Sequence, residues 1–222
     1  FGKAALNAFT GSDATAIGMQ AAKVAVGQTG LTAIGKDALG AATSGNNNTA
    51  VGASCLDGTV DGYSNTAVGY DALSVDCTNH NVAVGKSALS VFTGSNATAV
   101  GSGAADAATS ATNLTAVGKD ALGACTEGLG NTAVGKNALK SVTDGDYNVA
   151  VGAAAGEFTT GLRNTLVGAD AGLYTTTTDD CIAIGYFALA GVTGDRVTGN
   201  SNIAVGNYAL DATTSGYNNT AI

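Results

Sequence analysis

The sequence predicts an all-β protein, a parallel β-solenoid of about 13 coils with a ~17-residue repeat running through 1–222 as a single segment. Three observations predict it. First, a T-A-V-G phrase recurs along the chain. Its glycines fall at Gly2, Gly18, Gly35, Gly52, Gly69, Gly85, Gly101, Gly118, Gly135, Gly152, Gly168, Gly185 and Gly206, a mean spacing of 17.0 residues. Second, Ala (43), Gly (33) and Thr (29) make up 47% of the 222 residues, while Pro and Trp are absent. Third, the period is too short for a helix pair, Gly, Asn and Thr oppose helix, and no heptad supports a coiled coil. A fixed short period marks units that bury their apolar faces only by stacking on one another.

Each element follows from its column, counted from the motif glycine as position 0. Position −1 is Val or Ile from Ile17 to Val205, position −2 is Ala everywhere but Leu166, and position −3 is Thr or, at 82, 149, 182 and 203, Val or Ile. This is a strand of three to four residues, with positions −3 and −1 on one face and Ala on the other. The glycine permits a backbone conformation closed to other residues, or a close approach of two chains. Position +3 is Ala except Cys55, and position +4 is usually Leu; this A-L pair reads as a second short extended segment. The remaining Thr-, Gly-, Asn- and Asp-rich residues return the chain to the next strand. In the repeat Met19–Gly35, Val24-Ala25-Val26-Gly27 reads as an extra strand in place of that loop.

Stacking places Val on Val, Ala on Ala and Leu on Leu. At roughly 4.8 Å per coil, thirteen coils predict a rod on the order of 60 Å. The all-Ala column implies a tight approach, either of the opposite wall of the coil or of another chain. Because a coil this short encloses little volume, cover by a second and third chain is the favoured expectation. Ala116→Leu or Ala133→Leu should then overpack that contact by roughly 1–3 kcal/mol. Val117→Asp should break the local stack by burying an unpaired charge.

The consensus, as in Asn131-Thr132-Ala133-Val134-Gly135-Lys136-Asn137-Ala138-Leu139, resembles the head repeats of trimeric autotransporter adhesins. It is still more similar to the longer repeats of bacteriophage tail fibres. The resemblance spans the whole chain. It implies a homotrimeric, left-handed parallel β-roll with no catalytic residues in this segment. The function it implies is a virion tail-fibre shaft or head joined to other fibre segments and presenting a host-receptor-binding tip. The alternative is a bacterial cell-surface adhesin head that binds glycans or matrix protein. The chain begins inside a motif at Phe1-Gly2 and stops at Ala221-Ile222, which reads as a segment of a longer fibre.

Composition narrows the function classes. A net charge of −8 with nine Lys+Arg lacks the basic footprint of a nucleic-acid binder. No apolar run is long enough to insert in a membrane. A single His leaves little for His-based catalysis or metal binding, so no enzyme, cofactor or metal is expected.

Several columns invite a site and read more simply as structure. The Lys at +1 (Lys3, Lys36, Lys86, Lys119, Lys136) suggests a ladder for anionic glycans, but neighbouring acids make it a solvated face. The Thr column suggests ice binding, yet Val and Ile replace it four times, which fits an inward or interface position. The Asn column at −4 reads as a stacked ladder. Asp144-Gly145-Asp146 and Asp179-Asp180 read as turn residues rather than Ca²⁺ ligands. Cys55, Cys77, Cys125 and Cys181 occupy different repeat positions and read as small buried hydrophobes. Free thiols fit a fibre assembled in a bacterial cytosol better than a secreted adhesin. His80 reads as surface polar, and Tyr63, Tyr147 and Tyr217 lie in loops where rings could stack on sugars.

One coil is irregular: 21 residues separate Gly185 from Gly206, and the excess lies within Gly191–Asn200. Insertions in solenoids loop outward, often on the binding face. Asp195, Arg196 and Thr198 are the receptor-contact candidates there.

Overall fold

The structure, a computed structural model, describes residues 2–192 and 196–222. Its contacts group into two compact units, Phe1–Thr112 and Asn113–Ile222. The first carries β1 (Ser12–Ile17), β2 (Thr29–Ile34), β3 (Thr49–Val51), β4 (Thr66–Val68), β5 (Val82–Val84) and β6 (Thr98–Val100). The second carries β7 (Thr115–Val117), β8 (Thr132–Val134), β9 (Val149–Val151), β10 (Thr165–Val167), β11 (Ile182–Ile184), β12 (Ile203–Val205) and β13 (Thr220–Ala221). Within each unit every strand pairs in parallel with the next in sequence, so each is a stretch of β-solenoid. The register matches like with like: Thr49↔Thr66, Ala50↔Ala67, Val51↔Val68 in one unit, Thr115↔Thr132, Ala116↔Ala133, Val117↔Val134 in the other.

The glycine column is demanded by both conformation and space. Gly118 and Gly135 have φ of +135° and +140°, where L side chains are rarely found. A Cβ on Gly118 would strike the carbonyl of Gly135 one coil on.

The A-L pair is not the extended segment expected. The chain turns here, with residues +2 and +4 both left-handed: Asp120 φ 55° and Leu122 φ 52°, Asn137 φ 60° and Leu139 φ 47°. Asp and Asn tolerate that region, while Leu pays about 1–2 kcal/mol to enter it. Complete burial of Leu39, Leu56, Leu73, Leu89, Leu122, Leu139 and Leu189 offsets this, at about 1.5–3 kcal/mol per side chain. Nor do Val24–Gly27 form a strand: β2 starts at Thr29, Ala25 turns into the core, and Val26 is exposed.

The larger correction concerns the Ala face. Ala33, Ala50, Ala67, Ala83, Ala99, Ala116, Ala133, Ala150, Ala183 and Ala204 are all fully buried within a single chain. The opposite wall of the coil is close enough to cover them, and no second chain is needed there. The exception at Leu166 shows what the wall is. Its flanking coils carry Gly156 and Gly172 where others carry Leu at +4. A Cβ on Gly156 would lie 2.5 Å from Leu166 Cδ1, and one on Gly172 2.7 Å from Leu166 Cδ2. The large residue has changed sides, and core volume is kept.

The return loops are clipped by a buried Asn ladder at position −4. Asn148 N–H donates to Asn131 Oδ1 at 2.8 Å, and Asn164 N–H to Asn148 Oδ1 at 2.9 Å. The amide Nδ2 of Asn131 donates to the Gly145 carbonyl at 2.6 Å. Asn48, Asn65 and Asn81 do the same in the first unit. At 181 a cysteine takes the ladder position, and its Sγ accepts from Asn202 N–H at 3.5 Å.

Candidate functional site

Because Ala points inward, residues −3 and −1 point out. Each strand presents Thr or Val/Ile at −3 and Val/Ile at −1 to solvent, and the matched register aligns them in two columns down each unit. Val151 is 39% exposed and Ile184 41%. Ile17, Val100, Val149 and Ile203 are also exposed. The result is an ordered strip of half-exposed to exposed β-branched side chains on the sheet face. The Thr column is therefore outward, which removes the inward half of the inward-or-interface expectation, and Val117 lies on this half-exposed face rather than in the core.

The irregular coil carries the other candidates. Asp195 lies outside the described residues. Arg196 and Thr198 are exposed on either side of Val197, which is fully buried. Val197 N–H donates to the Tyr174 carbonyl at 3.0 Å, and its own carbonyl accepts from Thr176 N–H at 3.0 Å. Thr198 N–H donates to Thr214 O at 2.8 Å. The insertion is thus drawn back into the stack at Val197, and Arg196 and Thr198 project from that anchor.

The chain matches no family model, no curated protein and no solved structure. What it can do must be read from its own residues.

The remaining candidates are placed as follows. Lys36 and Lys119 pair with the adjacent Asp37 and Asp120 at 3.1 and 3.4 Å on the exposed surface. Asp146 and Asp179 accept backbone N–H groups of the preceding coil, Leu129 at 2.7 Å and Leu162 at 2.8 Å. Asp180 is paired with Arg163 at 2.7 Å, whose hydrogen bond and charge hold its carboxyl below the usual range. Asp57 is shifted the other way, raised by burial and then by Asp37 and Asp71. Among the described residues no group of His, Cys, Asp and Glu converges on a metal site, and no helix is long and apolar enough to cross a membrane.

All four cysteines are buried and unpaired. Burial pushes the Cys125 thiol up to about 11 and raises Cys55, Cys77 and Cys181 as well. None offers a reactive thiolate at neutral pH. His80 is exposed and meets the Tyr63 ring edge-on at 5.2 Å.

Tyr63, Tyr147 and Tyr217 are exposed in their loops, but nothing gathers them into one site. The structure gathers other rings. Phe158 and Tyr174 stack at 5.4 Å and 5°. Phe187 and Tyr208 stack at 5.8 Å and 19°, with Tyr186 edge-on to both at 4.7 and 5.4 Å. A sequence signal for this existed: Phe158 and Tyr174 share position +6 in consecutive coils, and Phe187 and Tyr208 share position +2.

Proposed function

We propose that this chain is a structural fibre segment, a homotrimeric tail-fibre shaft or head that carries a host-receptor-binding tip. The observation that supports it most is the outward Thr/Val/Ile face. In one chain that face leaves a regular column of apolar side chains in water. Copies of the same chain, with the same ~4.8 Å coil spacing, match it in register. Three chains would cover it and leave the charged turns outside. The inner Ala and Leu columns, the glycine column and the Asn ladder make each coil stiff, which suits a part whose role is mechanical.

Antibodies against this chain, applied to virions and to bacterial cells of its source, test the reading. Label along tail appendages is expected. Label on the cell envelope and none on particles contradicts the fibre reading and favours an adhesin head. Ice binding is the second reading, and the outward Thr column is what favours it. Thermal hysteresis is expected to be absent if the face is covered by other chains. Strong hysteresis would contradict the fibre reading.

A further inference from the structure

We propose that the gap left by Gly191, between Tyr174 and Phe187, is a binding site for one pyranose ring of a neutral oligosaccharide. The gap has a cause in the repeat. Position +6 is Phe158 in one coil, Tyr174 in the next and Gly191 in the third. The first two rings stack face to face, and the third member of the column has no side chain. A cavity of about 450 Å³ remains, lined by Leu173, Tyr174, Phe187, Gly191, Val192 and Asp211. Its volume lies within the range of small-ligand sites, roughly 300–1,000 Å³.

The lining selects the ligand class. Tyr174 and Phe187 are both half-buried and each is braced by a second ring, Phe158 and Tyr208. Rigid aromatic walls favour a flat partner with an apolar face. The Asp211 carboxylate makes no hydrogen bond or ion pair among the described residues. It is a free acceptor at the rim, suited to a pair of hydroxyls. A pyranose offers apolar C–H faces and a hydroxyl rim, and so meets both. Tyr186 is edge-on to Phe187 and lies outside the lining, with the Asp170 charge near its hydroxyl. Acidic sugars, phosphates and nucleotides are disfavoured by Asp211 and Asp170 and by the chain's net charge of −8. The site is built from three consecutive coils of one chain, those that follow Gly168, Gly185 and Gly206.

Saturation-transfer NMR on the full chain with methyl glycosides of glucose, galactose, mannose and N-acetylglucosamine tests it. Transfer to ring C–H protons is expected for at least one of them. Asp211→Asn keeps the shape and should weaken binding about tenfold, the scale of one hydrogen bond to a charged group. Tyr174→Ala should weaken it at least as much, and Tyr63→Ala, which is not among the lining residues, should not. Circular dichroism checks that each variant is folded. Loss in either site variant with Tyr63→Ala unchanged supports the site. No transfer to any of the four sugars, unchanged transfer in both site variants, or equal loss with Tyr63→Ala overturns it.

Discussion

The two faces of one short strand obey different rules. On β8 the inward residue, Ala133, is fully buried, and Leu122 and Leu139 stand at the repeat positions that Gly156 and Gly172 hold against Leu166, so the exchange there implies that Ala133 cannot grow. The outward residues, Thr132 and Val134, are half-exposed and vary freely among Thr, Val and Ile along the chain. The inner face therefore encodes the fold of the single chain. The outer face is held to β-branched residues, which favour the strand, but not to one size or polarity. The proposed trimer gives the outer face a role, and the two faces can be tested separately.

The sharpest way to break the comparison is to place the same charge on both faces. Ala133→Asp buries an uncompensated carboxylate and should cost about 3–5 kcal/mol, with the cooperative thermal transition weakened or lost. Val134→Asp, one residue on, should leave the circular dichroism of the chain intact and act on association. If both variants unfold alike, the two faces are not distinct.

The exchange at Leu166 sharpens the inner rule. Ala133→Leu alone should destabilise by about 1–3 kcal/mol. Adding Leu122→Gly and Leu139→Gly reproduces the arrangement of Leu166 with Gly156 and Gly172. The combined variant should melt higher than the sum of the separate effects, by a coupling of about 0.5–3 kcal/mol. Strict additivity would show that the two walls do not share one space.

The Asn ladder predicts a comparable loss by another route. Asn148→Ala removes the acceptor for Asn164 N–H and the donor for Gly161 O, and should cost about 1–3 kcal/mol in a denaturant titration.

Smaller effects come from the thiols and the surface pairs. A thiol raised in the folded state stabilises below its unfolded pKa, and that stability is lost as pH rises through the folded value. For Cys125 the loss should set in above the ordinary thiol pKa and run toward about 11. Thiol reagents at neutral pH should label the folded chain slowly and the denatured chain fully. Arg163→Ala removes an exposed pair and should leave the thermal midpoint nearly unchanged.

The fold was legible because the repeat writes the same physics thirteen times. Val, Ala and Gly at −1, −2 and 0 gave the strands, their parallel register and the sharp turn. The A-L turn was misread because Leu in a left-handed conformation runs against its local preference; only burial in the finished coil makes it acceptable. The facing of Ala was also misjudged. Periodicity shows that Ala and Val lie on opposite faces of a strand, but not which face is the inside. The pairing of Leu166 with Gly156 and Gly172 carried that information, since a compensated exchange is expected only across a packed core. Of the candidate sites, the 21-residue coil was visible from its length, and Arg196 and Thr198 are exposed on it. The aromatic cleft beside it was not seen, although Phe158 and Tyr174 stand in one column, because it depends on the side chain that Gly191 lacks.

The most direct test of assembly through the outer face is sedimentation equilibrium of the intact chain beside Val151→Asp, at micromolar concentration. The account predicts three chains per particle for the unaltered protein. It predicts a folded single chain for Val151→Asp, with unchanged circular dichroism. A folded monomer for the unaltered protein, or a trimer that Val151→Asp leaves untouched, would contradict it.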